Sequence, residues 1–537
     1  MMIQKESKNE NKYLNISLIA IFIALVFVTI VVRIRHLPTP LERDEGEYAY
    51  AGQLMLQGVP PYSLAYNMKM PGIYAAYAVI LALFGQDQIG IHFGVLLINT
   101  ATIILIFILA KKLYGLIPAV AAGCFFAIGS ISSGFQATAN AENFVVLPAM
   151  AAILILLKFT RTKKLLPLII SGLLFGIAFM MKQHGAAYIL FGLFYIVFIL
   201  YREKTGLKRI FYFVSIYSFF VALPFLITCL ILWRCGVFEK FWYWTFDYAR
   251  YYINLATGSN ALMNLHGTFD KILPAIPLIW LLGLAGLFLL IFGKQFREHR
   301  AFTLAFAGFS LLSVFPGLYF RSHYFILFLP AYSMLAGLGV LGIPNLFKFI
   351  KRKKIVSIFL ILIAWSQSFY AQREFLLAGN PELVSRLTFG FYSFPESLQI
   401  AKYIKAHSSK DDKIAVLGSE PQIYFYSQRR SATAFIYTYP LMELHPLAIE
   451  MQKEMISQIE ANKPKYMVIF KTVDSWIPRK ESAKLIFQWL DKYVAENYKQ
   501  VGLVELFKDE LRVQYSWTPD AKPQQPEGWI MILKRND

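Results

Sequence analysis

Three acids, Asp44, Glu45 and Glu47, lie within the octapeptide Arg43-Asp44-Glu45-Gly46-Glu47-Tyr48-Ala49-Tyr50, just after the first long apolar run. A carboxylate at such a place can take a proton from a hydroxyl. Other polar residues sit near the ends of later apolar runs: Lys69, Glu142, Lys182, His184, and the group Arg321, His323 and Tyr324. Singly, each has an ordinary explanation, since loop acids are solvated and basic residues at span ends reach toward headgroups. Together they suit an anionic lipid phosphate held by cations (Lys69, Arg321, His323, Lys182) and the Tyr324 hydroxyl beside a carboxylate base (Asp44, with Glu45 and Glu142 as further candidates). Asp44, Glu142 and His266 offer oxygen and nitrogen ligands, but their separation gives no metal-site spacing. A divalent metal therefore stays open, and these residues mark no other cofactor.

The elements that must position these residues are membrane helices. Of 537 residues 57% are hydrophobic and only 16% charged, and the mean hydropathy is +0.49, so most of the chain must face lipid. Apolar runs long enough to cross a core of about 30 Å are expected at 14–34, 89–110, 114–131, 143–158, 165–181, 184–201, 210–233, 272–293, 300–319, 323–343 and 355–371. Cys124, Cys229 and Cys235 fall in or beside them with neither disulfide nor zinc spacing. The net charge of +20 does not point to nucleic acid, because the basic residues gather in alternate loops. Clusters follow the second, fourth, sixth, eighth and tenth runs, from Lys111–Lys112 to Lys351-Arg352-Lys353-Lys354, and Lys5, Lys8 and Lys12 precede the first. The positive-inside rule then places the N-terminus in the cytoplasm of a multi-pass plasma-membrane protein and everything after about 372 outside. The first run is read as a retained anchor, because it is long for a signal peptide and no small-x-small site precedes the acids.

Three segments differ from ordinary connectors. The first outer loop, about 36–88, carries the acids, and its Glu47–Gln57 stretch reads as an amphipathic interfacial helix, followed by a second short apolar piece at Ile73–Phe84. The aromatic run Phe241–Tyr252 reads either as a headgroup-level anchor or as a platform for stacking sugars; Asn254–Asp270, polar and glycine-containing, reads as a lid. The tail, 373–537, alternates helix-period segments (Glu396–His407, Pro446–Ala461) with short strands (413–418, 466–470, 529–533), which predicts an α/β domain with a partly parallel sheet. The expected organisation is thus a transmembrane domain over 1–372 and an extracytoplasmic domain over 373–537. Gly337-Leu338-Gly339-Val340-Leu341-Gly342 fits G-x-G-x-x-G but lies inside an apolar run with no strand before it, so close helix packing is the expected reason for its glycines.

The pattern Asp44-Glu45-x-x-Tyr48-Ala49, then Lys69-x-Pro71-Gly72-x-Tyr74, resembles the GT-C glycosyltransferases, nearest the aminoarabinose transferase and protein O-mannosyltransferase group. Glu142, Arg321-Ser322-His323-Tyr324 before Leu329-Pro330, and Ser419-Glu420-Pro421-Gln422-Ile423-Tyr424-Phe425-Tyr426 extend the similarity along nearly the whole chain. The resemblance implies a polytopic helical membrane protein of about eleven spans with a C-terminal α/β domain. It implies an enzyme that moves a sugar from a polyprenyl-phosphate donor to a hydroxyl acceptor (glycolipid, glycan or protein) at the extracytoplasmic face. With a phosphate as leaving group, no acid is needed to protonate it; a base and stabilising cations suffice, and a single displacement inverts the anomeric centre. Asp44 is the expected base, and Glu142 would orient the acceptor or assist. One departure is Met68, where the aminoarabinose transferases commonly carry an acid that helps hold a metal. The competing class is a transporter or lipid flippase, but no repeat of the first-loop pattern appears in the second half of the chain.

Overall fold

A computed structural model describes residues 2–136, 138–254 and 258–536. The chain divides into two compact units, one of Met1–Leu37, His92–Leu230 and Tyr252–Gly379, the other of Pro38–Ile91, Ile231–Tyr251 and Asn380–Asp537.

The first unit is helical. Every one of the eleven apolar runs falls on a helix, but seven helices among the described residues are long and apolar enough to cross a membrane, or eight with one bent pair counted as a span. Leu116–Gly129, Leu165–Met181 and Arg300–Leu312 have 14, 17 and 13 residues, short of the roughly 20 that a full crossing takes. The bent pair, Asn260–Ala275 and Pro277–Phe292, turns by 101° at Ile276, whose φ/ψ of −140°/50° is not helical. Pro277 at the first helical position has no N–H to carry the earlier helix onward. Of the polar stretch expected as a lid, residues 255–257 lie outside the described residues, and Gly258–Ala275 is a helix. Leu207–Arg234 is the least covered of these helices, its apolar window only 6% buried.

Inside this unit Leu329–Leu346 packs against Pro277–Phe292 and Leu116–Gly129. The glycines of the G-x-G-x-x-G lookalike serve that packing: a Cβ on Gly339 would lie 2.2 Å from the Leu282 carbonyl oxygen, and one on Gly337 2.7 Å from that of Pro118.

The second unit is built on a six-stranded sheet of order β2-β1-β3-β6-β4-β5. Its strands are β1 (Lys413–Leu417), β2 (Arg430–Ser431), β3 (Tyr466–Lys471), β4 (Tyr498–Phe507), β5 (Arg512–Ser516) and β6 (Trp529–Arg535). β1 runs parallel to β2 and β3; β6 joins β3 and β4 antiparallel, and β4 pairs antiparallel with β5. The sheet is therefore partly parallel, as the alternation predicts, and the strands expected at 413–418, 466–470 and 529–533 are in it. β4 and β5 are additions that the sequence pattern does not announce. They carry Lys499, Gln500, Glu505, Arg512 and Gln514 among their apolar residues, so no long apolar run marks them.

Two first-loop helices belong to the same unit. Arg43–Leu56 starts four residues before the expected interfacial helix, and all of Glu45–Leu54 is buried, so it is a packed helix with no free polar face. Pro71–Phe84 crosses it where Gly52 meets the Tyr77–Ala78 backbone; a Cβ there would lie 2.9 Å from the Ala78 nitrogen. Part of the aromatic run is likewise interior, though Trp242 and Tyr251 are exposed. Trp244 and Tyr248 are buried, Trp244 stacks on Tyr66 at 5.3 Å and meets Phe435 edge-on at 6.0 Å, and the Tyr248 hydroxyl donates to the Glu443 carboxylate. Neither the headgroup anchor nor the sugar platform describes these two rings; they form part of the core.

Candidate functional site

In the second unit the acids of the octapeptide are sorted by one helix N-terminus. Glu42 is the N-cap, and its carboxylate accepts from the backbone N–H groups of Asp44 and Glu45, both at 3.0 Å. Glu45 reaches back and accepts from the Glu42 N–H at 2.9 Å, completing a capping box. The Glu45 carboxylate is thereby engaged in holding the helix end and is buried. Asp44, in the first turn, is left to face other partners, and the helix dipole favours negative charge there.

Two of those partners come from different parts of the chain. The Lys69 ammonium bonds Asp44 Oδ2 at 3.0 Å and lies 5.4 Å from the centre of the Tyr48 ring. Lys69 is itself fixed by its backbone, whose carbonyl accepts from the Tyr62 hydroxyl at 2.6 Å. The Tyr437 hydroxyl lies 3.1 Å from Asp44 Oδ1 and 3.1 Å from the Arg43 carbonyl. One turn along, Glu47 accepts from Asn67 Nδ2 at 2.7 Å and from the Tyr74 hydroxyl at 2.5 Å. Arg43 turns the other way: its guanidinium pairs with Glu420 at 2.5 Å, donates to the Ser419 carbonyl, and lies over the rings of Tyr439, Tyr392 and Phe394. The tail motif Ser419-Glu420 is thus the anchor of the first-loop helix.

Glu47 is wholly buried, and burial pushes its carboxyl up to about 7; the nearby Lys69 opposes that rise, Asp44 adds to it, and hydrogen bonds from Tyr74 and Tyr437 oppose it. An unfolded glutamate titrates near about 4.3, so between these values the folded chain holds a proton that the unfolded chain has released. The associated stability is complete below the unfolded value and is lost as pH rises through about 7. At about 1.4 kcal/mol per pH unit the loss is on the order of 3 kcal/mol. Glu47→Gln, which cannot ionise, should therefore gain on wild type in melting temperature at pH 8 relative to pH 5. Thermal unfolding in detergent at both pH values checks this, and an equal difference at the two would contradict it.

The first unit holds a second polar group. Glu142, in the first turn of Ala141–Thr162, is 1% exposed and forms an ion pair with Lys182. Lys182 also lies over the Tyr324 ring, 4.3 Å from its centre, and the His323 Nε2 is 3.9 Å from Glu142 Oε1. His184 packs edge-on against Tyr324 at 4.6 Å, and its Nδ1 lies 2.7 Å from the Ser313 carbonyl oxygen. A short 3₁₀ turn, Ser322–Ile326, presents His323 and Tyr324 just before the Leu329–Leu346 helix. Arg321, at its N-cap, is exposed and lies 5.7 Å from the centre of the Tyr319 ring.

The expected site residues thus fall into two groups: Asp44, Glu45 and Lys69 in the second unit, and Glu142, Lys182, His323, Tyr324 and Arg321 in the first. His266 pairs with Asp270 at 3.1 Å on an exposed helix face, and no three His, Cys, Asp or Glu gather as metal ligands among the described residues. Glu47 has a signal in the sequence, since its i, i+3 spacing from Asp44 puts both on one helix face. Tyr437 has none; it lies 393 residues from Asp44 in a segment with no chemical motif.

The arrangement can be compared with known proteins. The family model for dolichyl-phosphate-mannose-protein mannosyltransferase matches residues 68–228, a stretch that holds Lys69, Glu142 and Lys182. No curated protein sequence matches the chain. Among solved structures, ArnT from Cupriavidus metallidurans bound to undecaprenyl phosphate is similar at a TM-score of 0.56 and 15% identity, over 84% of this chain and 93% of that one. The same enzyme in the apo state gives 0.56 and 14%, over 95% and 97%. The archaeal oligosaccharyltransferase AglB from Archaeoglobus fulgidus, in complex with an inhibitory peptide and a dolichol-phosphate, gives 0.53 and 11%, over 96% of this chain and 75% of that one. At such identities the likeness is one of fold, and it is the GT-C fold that the sequence resemblance implies: a multi-pass membrane protein with a smaller sheet domain.

Proposed function

We propose that the protein is an inverting glycosyltransferase that moves a hexosyl or pentosyl group from a polyprenyl-phosphate donor to a hydroxyl acceptor. The observation that carries this reading is the Asp44 carboxylate at the start of a capped helix, bonded by the Lys69 ammonium at 3.0 Å. The ion pair and the helix N-terminus both favour a charged carboxylate, which is the form a base needs. The family match from residue 68 onward and the fold shared with enzymes bound to undecaprenyl phosphate and dolichol-phosphate support the donor class.

In this mechanism an acceptor hydroxyl gives its proton to Asp44 as its oxygen attacks the anomeric carbon from the face opposite the phosphate. The bond from that carbon to the phosphate oxygen breaks, and the electron pair leaves with the polyprenyl phosphate. The charge gained by the phosphate needs cations, which is the role proposed for Lys69. In the first unit, Lys182, His323, Tyr324 and the exposed Arg321 are proposed as phosphate-binding residues, and Glu142 as a carboxylate that orients an acceptor. Glu142 Oε2 accepts no hydrogen bond from a described residue, which leaves it lone pairs for a substrate hydroxyl. The alternation of basic loops supports an N-terminus in the cytoplasm and chemistry at the outer face of the plasma membrane. None of the relatives named above supports the transporter reading.

Purified protein given a radiolabelled polyprenyl-phosphate sugar and a panel of glycolipid, glycan and peptide acceptors should transfer label to one of them with inversion at the anomeric carbon. Retention of configuration would rule out the single displacement. Movement of intact labelled lipid across a sealed vesicle, with no transfer to any acceptor, would favour the flippase.

A further inference from the structure

The tail, read from the sequence as an α/β domain, reaches Asp44 itself. The Tyr437 ring is 6% exposed, and its hydroxyl faces Asp44 Oδ1 and the Arg43 carbonyl at equal distance. A phenol has one proton. Glu47, which burial pushes up to about 7, is a further acceptor for the same hydroxyl; the Asp44 carboxylate is the one ion-paired with Lys69, and a hydrogen bond to an ionised oxygen is roughly twice as strong as a neutral one. A phenylalanine would fill the same volume, so packing alone does not account for a hydroxyl buried beside carboxylates.

The segment that delivers Tyr437 is held on both sides. Thr438, next in the chain, donates its N–H to Ser419 Oγ at 3.0 Å and its hydroxyl to the Ser475 carbonyl at 3.0 Å. The Tyr439 hydroxyl donates to the Asp474 carbonyl at 3.2 Å. Ser419 in turn donates its own N–H to Ser475 Oγ at 2.8 Å and accepts Arg43 on its carbonyl. The residue that fixes Arg43 is therefore the residue that fixes the backbone beside Tyr437. Asp44, next to Arg43, and the phenol that meets it are tied to one corner after β1.

We propose that Tyr437 is a positioning residue for the base, holding Asp44 Oδ1 while Lys69 holds Oδ2, so that the tail completes the catalytic carboxylate. The second side-chain torsion of an aspartate is broad and settles only when both oxygens are bound. With one bond on each oxygen from a different element, the carboxylate plane is set. Removing one bond lets the plane turn and lowers the fraction of productive encounters, with no reason for donor binding to change.

The inference rests on the proposed base role of Asp44, and a double-mutant cycle separates the two. Tyr437→Phe should lower kcat about tenfold with the donor KM within about twofold of wild type. In an Asp44→Asn background, assayed at its residual rate, the same change should alter kcat by less than about twofold, because there is no base left to position. Full activity in Asp44→Asn would overturn the base reading itself. A large loss in Asp44→Asn with an equal Tyr437→Phe effect in both backgrounds, or none in either, would overturn only the positioning role. Since a lost phenol can loosen a core, 3-fluorotyrosine at 437 is the control: it keeps the O–H and should stay within about threefold of wild type. A tenfold loss there too would assign the effect to packing and overturn the proposal.

Discussion

Asp44→Asn should lower the rate of sugar transfer by about 10²–10⁴-fold, the range that a positioned general base contributes. The substitution keeps the side chain's size and removes its ability to take a proton. It should spare the fold, because the cap of the Arg43–Leu56 helix uses the Asp44 backbone N–H and the Glu42 and Glu45 carboxylates, not the Asp44 side chain. Initial rates with labelled donor at saturating acceptor, read beside a thermal melt, check both halves. Activity within about threefold of wild type in a normally folded variant would remove Asp44 from the mechanism. The corresponding change at Glu45 should act on the helix end instead, since its carboxylate is occupied with the Glu42 N–H.

Lys182→Met should destabilise the helical unit by about 3–5 kcal/mol, the usual consequence of removing one partner of a buried ion pair. The reason is the carboxylate left behind. Glu142 is 1% exposed, Lys182 is its ion-pair partner, and the nearest His323 nitrogen stands off at 3.9 Å. Adding Glu142→Gln to Lys182→Met should recover much of the loss, because no buried charge then lacks a partner. The fraction of monodisperse protein surviving a temperature ramp in detergent measures this. A single variant as robust as wild type, or a double variant weaker than the single, would show that the pair does not carry the stability assigned to it. Transfer assays on the double variant then read the role of these groups in the reaction apart from their role in folding.

Several parts of this molecule were legible in the chain because they are local. Each apolar run became helical over most of its length, since about 20 consecutive apolar residues have few other ways to satisfy their backbone in lipid. The strands at β1, β3 and β6 were legible as short apolar runs between helical segments. β4 and β5 were not, because their polar residues break any such run. Length was the weak point: hydropathy marks that 114–131 or 300–319 is apolar, but where the helix within it ends depends on turns such as Ser132–Phe135 and Pro316–Leu318. For Trp244 and Tyr248 the aromatic run was a poor guide, because composition says only that rings prefer to leave water. Whether they enter a membrane interface or a protein core depends on what packs against them, and for Trp244 that is Tyr66 and Phe435.

By itself the sequence determined that the chain is a membrane protein with a sheet-bearing tail, and that acids and cations recur near the ends of its apolar runs. Those are properties of composition and short-range period. Only the tertiary structure decided the work of each acid. Glu45 closes a cap, Glu47 is buried among Asn67 and Tyr74, Glu142 is paired with Lys182, and Asp44 meets Lys69 and Tyr437. A carboxylate's role is set by its partners, and the partners of Asp44 lie 25 and 393 residues away. No periodicity spans such distances. Chain folding brings those groups together, and with them the difference between an acid that holds a helix and an acid proposed to take a proton.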